Sequence, residues 1–352
     1  PPRSTPLYSS AASDVYKRQV YVESNLGLSS SFTDQEYSEA GAKICLNVKE
    51  VYDADIILKV EPPSLEELDY FKHNQCLISA LQLKTQKAEY FKKLMDKKVT
   101  AVAFDYIKDE AQVFPIVRSM GEIAGTSSIL IAAELLSTFS GGRGLLMGGI
   151  PGVKPTRVVI IGAGTVAEYA ARSAVGLGAL VSVFDNSVAR LRRMQSDLNF
   201  PIATSIMQPK VLEKALKRAD VAIGALRAKE GRTPCVISDN MVQKMKPKSV
   251  IVDVSIDQGG CFETSELTTH ESPTFIKHDV IHYGVPNIAS RVAKTASFSL
   301  SNILAPLLLQ VGEGGGVKGM LLRSPNIRGG VYVYNGIITN RGIGAWFDLP
   351  HK

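Results

Sequence analysis

Apolar and polar positions along this chain follow two rhythms, and the repeated switch between them defines an architecture. Residues 20–23, 56–60, 76–80 and 99–104 are short runs rich in β-branched and other apolar side chains, the pattern of strands, and helical spacing fills the stretches between them. Two of those helices open with capping boxes, Thr33-x-x-Glu36 and Ser64-x-x-Glu67, in which a hydroxyl and a carboxylate satisfy free amides of the first turn. A long helical pattern over 118–137 runs into the Gly-rich segment 141–152, which reads as a crossing between domains. A second alternating set follows, with strands over 158–161, 181–184, 221–224 and 250–254 and helices starting near Thr165, Ser187, Pro209 and Asp239. Over 295–309 the pattern is helical again. This alternation predicts an α/β fold with parallel sheets flanked by helices on both faces.

Composition narrows the class. The 352 residues are 45% hydrophobic and 21% charged, enough for two ordinary globular domains and unlike a disordered or fibrous chain. The net charge of +6 is dispersed: Lys92, Lys93, Lys97 and Lys98 are interleaved with Asp96, which reads as a solvated helix face and not a nucleic-acid patch. Four cysteines lie far apart in sequence, so neither a disulfide framework nor a metal site is expected, and a reducing cytoplasm fits. The apolar stretch 123–139 is broken by Ser127, Ser128 and Glu134 and falls short of the about 20 residues of a bilayer span, so it reads as a buried helix and no membrane partner is expected. Residues 1–19 are rich in Ser, Pro and Ala, lack the apolar core of a signal peptide, and read as a foreign or disordered leader outside the fold.

The motif with a direct chemical reading is Arg157-Val158-Val159-Ile160-Ile161-Gly162-Ala163-Gly164-Thr165-Val166-Ala167, a buried strand entering G-x-G-x-x-A and then a helix. In a dinucleotide site Gly162 permits the tight turn, Gly164 lets the backbone approach a pyrophosphate, and Ala167 allows close helix–strand packing while free amides at the helix start face the phosphates. The next strand ends in Asp185, 23 residues after Gly162, close to the about 20 expected of the acid that binds ribose hydroxyls. A carboxylate there repels a 2′-phosphate, so NAD is expected over NADP, although Arg190 and Arg192 follow closely. A tight turn with a surface aspartate would share the spacing, and the strand–turn–helix–strand context favours the cofactor.

Further runs carry a resemblance. Asp253-Val254-Ser255-Ile256-Asp257-Gln258-Gly259-Gly260-Cys261-Phe262-Glu263-Thr264-Ser265, then Thr268-Thr269-His270 and His282-Tyr283-Gly284-Val285-Pro286-Asn287, are joined by Met120-Gly121-Glu122-Ile123-Ala124-Gly125 and the 141–152 segment. With these the chain resembles the alanine dehydrogenase and NAD(P) transhydrogenase alpha-subunit superfamily from about residue 20 to its C-terminus. The resemblance implies two Rossmann-like domains, an NAD-binding one over 116–294 inserted into a discontinuous substrate domain over 20–115 and 295–352. It implies an oxidoreductase acting on a CH–NH2 donor: a cytoplasmic homohexamer that uses NAD to convert L-alanine, or a similarly small amino acid, to pyruvate and ammonia by hydride transfer to nicotinamide. Carried over by residue, it implies cofactor contacts at Gly162, Gly164, Thr165, Val166, Ala167, Asp185, Arg190, Leu226, Val254, Ile256, Asp257, Val285, Asn287 and Ile288. Asp257 takes the chemical role, beside the reacting carbon, where a carboxylate stabilises a developing cationic imine and moves protons. Asn287 would hold the nicotinamide ribose or ring through its amide. As residues alone, Asp257 and Asn287 would serve equally well as organisers of their loops.

Several positions depart from the family. The segment that supplies an arginine for the substrate carboxylate falls upstream of Val20, where this chain carries its unmatched leader. In Leu58-Lys59-Val60-Glu61-Pro62-Pro63, Glu61 stands where a substrate-binding lysine is expected, and Lys59, two residues back on the same strand face, is the candidate replacement. In Ser79-Ala80-Leu81-Gln82-Leu83-Lys84, Gln82 holds the place of the catalytic histidine and has no titratable proton to offer. Asp257, Lys59, Lys84 and His282 are left to move the proton, Asp257 first. Gly121 stands where a cofactor-contacting serine is usual. Three readings stay open: a dehydrogenase with a rebuilt acid–base set, the NAD(H)-binding part of a transhydrogenase, and a catalytically silent NAD-binding relative.

Overall fold

The computed structural model describes residues 19–227, 232–313 and 315–352, without the side chains of residues 84, 312 and 313. The leader expectation concerns residues outside the described ones, except Gln19, whose side-chain amide donates to the carbonyls of Val20 and Gly41 at 3.1 Å each. The chain divides into two compact units, Pro1–Ser119 with Val292–Lys352, and Met120–Arg291. In chain order the strands are β1 Tyr21–Glu23, β2 Lys43–Cys45, β3 Ile56–Leu58, β4 Cys76–Ser79, β5 Thr100–Ala103, β6 Arg157–Ile161, β7 Leu180–Phe184, β8 Ala203–Ser205, β9 Val221–Gly224, β10 Val250–Asp253, β11 Thr274–Lys277, β12 Val280–Tyr283, β13 Val331–Tyr334 and β14 Ile337–Ile338.

In the Met120–Arg291 unit seven strands pair in the order β11-β12-β10-β9-β6-β7-β8. The chain steps outward from β6 through β7 to β8, then returns to place β9 on the other flank of β6. That reversal is a topological switch point, and the C-terminal ends of β6 and β9 are where such a sheet opens to ligands. Both faces are covered, because successive side chains of a strand point opposite ways. Val158, Ile160, Val183 and Ile223 join one apolar cluster, and Val159, Ile161, Phe184 and Ala222 join another. Helix Thr165–Gly176 lays Ala167, Ala170, Ala171 and Ala174 on the first cluster, and their small size lets helix and sheet approach closely.

In the other unit five strands pair in the order β14-β13-β5-β4-β3, and β1 and β2 form a separate parallel pair. Its core gathers Leu77, Tyr90, Phe91, Leu94 and Tyr332, with the hydroxyls of Tyr90 and Tyr332 bonded to each other at 3.1 Å so that neither is buried unpaired.

The sheets are rich in parallel pairs, as expected, and carry antiparallel additions. β11 runs antiparallel to β12, and β13 runs antiparallel to both β5 and β14. Two-residue hairpin turns set two of these pairs, β11–β12 and β13–β14. His278 (φ 54°) and Asp279 (φ 56°) link the first pair, and Asn335 (φ 49°) and Gly336 (φ 79°) the second, the doubly positive φ of a tight hairpin. Both capping boxes form: Thr33 with Glu36, and Ser64 with Glu67 at 2.7 and 3.2 Å. The long helix is Pro115–Leu135, and the 123–139 stretch is buried only in part, since Leu130 and Phe139 are exposed. A different run, Ile288–Val311, is long and apolar enough to cross a bilayer by length and composition alone. Its Phe298 packs edge-on against Phe32 at 5.4 Å, and Ser297 bonds Ser30 at 3.0 Å.

Candidate active site

The glycine-rich turn lies at the end of β6. Gly162 has φ +117°, and a Cβ there would sit 2.4 Å from the carbonyl oxygen of Ala225, just beyond β9, so only glycine fits. Gly164 differs in kind. It precedes helix Thr165–Gly176 with an ordinary φ of −93°, and a Cβ on it would meet nothing within 4 Å. The space it leaves, in front of unbonded helix-start amides, is a cradle a side chain would fill, and it suits a pyrophosphate. Thr165 and Val166 border this space and are partly exposed, while Ala167 is fully buried.

Asp185 follows β7, is 4% exposed, and is wired to the main chain: one carboxylate oxygen accepts the amide of Ala163 at 2.8 Å, the other that of Ser187 at 2.7 Å. The acid thereby fixes the turn between Gly162 and Gly164. A carboxylate has about four acceptor positions, so capacity for ribose hydroxyls remains. Arg190 stands 3.7 Å from it, and Arg193 donates to the carbonyl of Ala163 at 3.3 Å. These residues fit the adenosine side of NAD. One contributor escaped the sequence reading. Gly125, on the long helix, approaches the backbone of Val166 so closely that a Cβ would lie 2.3 Å from its carbonyl oxygen. A Cβ on Gly121 would lie 3.5 Å from the Val166 side chain, which puts this position next to the cradle.

β10 ends in Asp253 and a helical turn, Val254–Gln258. The turn places Ile256 inward and Asp257 outward, and Oδ1 of Asp257 accepts the amide of Asn287 at 2.9 Å. Asn287 holds φ +49°, a left-handed conformation that asparagine tolerates, while Val285 and Ile288 on either side are buried. Although Asp257 is exposed as a residue, its carboxyl lies against the protein. Loss of water pushes its pKa up, the Asn287 amide pulls it down, the charge of Asp253 adds to the rise, and the balance is above the ordinary value. Leu226 follows β9 and is half-buried. His282 is not available as a base. It is 1% exposed, stacks on Phe275 at 4.8 Å, and engages the Val280 carbonyl at 2.9 Å and the Thr264 hydroxyl at 2.8 Å. Burial lowers its pKa to about 4, so it stays neutral.

The substrate-side candidates lie in the other unit, at the C-terminal ends of β3 and β4. Lys59 is paired with Glu67, which also accepts the Tyr52 hydroxyl at 3.1 Å and the Ser64 amide at 2.7 Å. Burial raises the pKa of Glu67, but the hydrogen bonds from Lys59 and Ser64 and the charge of Lys59 outweigh it and hold the group below its ordinary value. Glu61 is exposed. Gln82 is exposed and left-handed, with φ 46° and ψ 48°. The Asp105 carboxylate accepts the Leu81 amide beside it at 3.2 Å. The side chain of Lys84, named with these as a proton carrier, lies outside the described residues.

Known proteins match this chain over most of its length. The family model for the alanine dehydrogenase/PNT C-terminal domain matches residues 128–341, and that for the N-terminal domain matches 14–124. The chain is 39% identical to an alanine dehydrogenase of Methanococcus maripaludis over 335 residues, 95% of this chain and 89% of that protein. It is 36% identical to alanine dehydrogenase 2 of Staphylococcus aureus over 95% of this chain and 89% of the other. A solved L-alanine dehydrogenase superposes with a TM-score of 0.91 at 32% identity, covering 98% of this chain and 94% of that one. A transhydrogenase from Sinorhizobium meliloti shares the fold, with a TM-score of 0.81 at 23% identity over 96% of this chain and 95% of that one.

Proposed function

The chain belongs to the alanine dehydrogenase/PNT family, and from that premise we propose that it is an NAD-dependent dehydrogenase that oxidatively deaminates L-alanine, or a similarly small amino acid, to pyruvate and ammonia. The observation that carries this reading is the Asp257 carboxyl, raised in pKa and held at the amide of Asn287. NAD, when bound, supplies the acceptor for the hydrogen on the substrate Cα. The Gly162–Ala163–Gly164 turn and Asp185 hold the dinucleotide, with Thr165, Val166, Arg190, Leu226, Val254, Ile256, Val285 and Ile288 along its path. Asp257 takes a proton from the substrate ammonium and releases it to solvent, and the restored carboxylate steadies the cationic imine as it forms, takes a proton from the water that adds to it, and returns that proton to the nitrogen that leaves as ammonia. A raised pKa suits this work, because the carboxylate is then a stronger base than that of an ordinary aspartate. Lys59, steadied by Glu67, binds the substrate carboxylate in place of the lysine replaced by Glu61, and Gln82 orients substrate or water without moving a proton. In this reading the substrate domain is the unit containing Lys59, the NAD domain is the unit containing Gly162, and the protein acts in the cytoplasm as a homo-oligomer, hexameric by resemblance.

Reduced-nicotinamide absorbance with L-alanine and NAD tests the reading. Asp257→Asn is expected to lower kcat/KM by about 100-fold or more while leaving NADH binding intact. Saturable NADH binding without turnover of L-alanine or any other small amino acid would overturn the dehydrogenase and leave a silent or transhydrogenase-like protein.

A further inference from the structure

The turn that carries Asp257 is fastened at both ends by a single carboxylate. Asp253, 2% exposed at the end of β10, uses Oδ1 to accept the amide of Ser255 at 3.0 Å, which caps the Val254–Gln258 turn. Its Oδ2 accepts the amide of Cys261 at 2.9 Å and the hydroxyl of Ser265 at 2.7 Å, and the Cys261 thiol lies 3.7 Å from Oδ1. The start of the loop and its return are thus drawn onto one group, with Asp257 between them. Gly259 and Gly260 reverse the chain at φ +96° and +75°, and their amides close onto the carbonyls of Ile256 at 2.9 Å and Ser255 at 3.0 Å. Room for the carboxylate is kept by glycine on two sides: a Cβ at Gly224 would stand 2.4 Å from Oδ1, and one at Gly260 2.8 Å from Oδ2.

Capping alone does not call for an acid here, since serine or asparagine caps a turn as well. The site presents three donors and a thiol, and only an acceptor-only group takes them all without turning a hydrogen toward one of them. An asparagine amide in the same place would set donor against donor at either Ser255 or the Cys261 and Ser265 pair, and a buried mismatch of that kind is relieved by moving the loop.

We propose that Asp253 is a positioning residue for the reaction: its carboxylate, bonded by Ser255, Cys261 and Ser265, sets the turn that holds the Asp257 carboxyl at the amide of Asn287. The proposal rests on the reading of Asp257 as the proton carrier. Charged groups around that turn include Asp253 itself, whose charge raises the pKa of Asp257, and Arg232, which donates to the carbonyl of Gly259 at 3.2 Å.

Two variants of the full chain test it without relying on turnover. The titration of Asp257 is followed by carbon NMR in aspartate-labelled protein, its signal assigned by loss in Asp257→Asn. Exchange of the Asn287 amide is followed alongside. In Asp253→Asn the Asp257 midpoint is expected to fall by about one pH unit, because a negative neighbour is removed and the carboxyl swings toward water. In the milder Ser265→Ala, which removes one bond and keeps the charge, Asn287 amide exchange is expected to quicken about tenfold while the amides of β6 keep their protection. Should Asp253→Asn fail to fold, Ser265→Ala decides alone. An unmoved Asp257 midpoint in a folded Asp253→Asn, or unchanged Asn287 exchange in Ser265→Ala, overturns the proposal. Absence of alanine turnover in the unaltered chain would instead count against the dehydrogenase reading and leave these two measurements standing.

Discussion

Acids in the two units are held in different ways. Asp185 and Asp253 are 4% and 2% exposed, and each of their carboxylate oxygens accepts at least one main-chain amide, so the backbone itself defines where they stand. In the other unit Glu61 and Gln82 project from strand ends into solvent, and Lys59 and Glu67 meet through side chains that are 30% and 26% exposed. Under the proposed function, the contrast follows from what each region would recognise. A dinucleotide would be met by amides, glycines and one acid placed by the fold, so a substitution there damages structure, binding or both. A small amino acid is met by exposed side chains, which can be exchanged while the sheet beneath is untouched. The chain accordingly keeps the first region close to its family pattern and departs from it in the second.

The sharpest test of the first half of this contrast is a pair of glycines. Gly162→Ala forces a Cβ into the Ala225 carbonyl at φ +117° and is expected to destabilise the protein by about 2–4 kcal/mol, seen as a lower thermal midpoint. Gly164→Ala meets no atom and should leave that midpoint within about 1 °C, yet weaken NADH binding by roughly 30- to 100-fold, on the order of 2–3 kcal/mol, by filling the cradle. A Gly164→Ala protein that binds NADH normally would move the pyrophosphate elsewhere.

The same contrast explains what could be read from sequence. The Gly162–Asp185 unit is contiguous, and its strand–turn–helix pattern is local, so its fold was legible and its candidate site could be named from sequence. The hairpins were not, although Asn335-Gly336 between apolar residues is a strong turn signal; β13 and β14 are only four and two residues long, too short for a periodicity to show. Ser64-x-x-Glu67 was legible as a capping box, but its second use was hidden, because Lys59 and Tyr52 reach Glu67 only through the folded sheet. The role of Asp253 is not visible in sequence, since the donors that define it come from residues two, eight and twelve positions later. His282 remained open as a base until its burial closed that option.

On the substrate side, a gain of function is the informative test. Gln82 already has the left-handed backbone, which histidine adopts more readily than most residues, and its side chain is exposed. Gln82→His should therefore fold without penalty and raise kcat/KM for L-alanine about tenfold, with a new ionisation near the ordinary histidine value of about 6.5 in the pH profile. No gain would mean that proton transfer has been reorganised around Asp257 alone.

The smallest effect concerns the Lys59–Glu67 pair, and its sign can be worked out. The pKa of Glu67 is held below 4.5 in the folded chain, so its ionised form favours folding. That contribution is present above the unfolded value, near pH 4.5, and disappears as pH falls through the lower folded value. Because both side chains reach solvent, it is worth no more than about 0.5 kcal/mol. Glu67→Gln should therefore lower the thermal midpoint by about 1–2 °C at pH 7 and by less as the pH is taken below about 4. The same substitution frees Lys59, and if Lys59 binds the substrate carboxylate, the KM for L-alanine should change about threefold or more with little change in kcat. An equal loss of midpoint at pH 7 and pH 3 would show that Glu67 acts through its hydrogen bonds to Tyr52 and Ser64 and not through its charge. A KM unmoved in both Glu67→Gln and Lys59→Met would leave the exposed strand end without a carboxylate-binding cation.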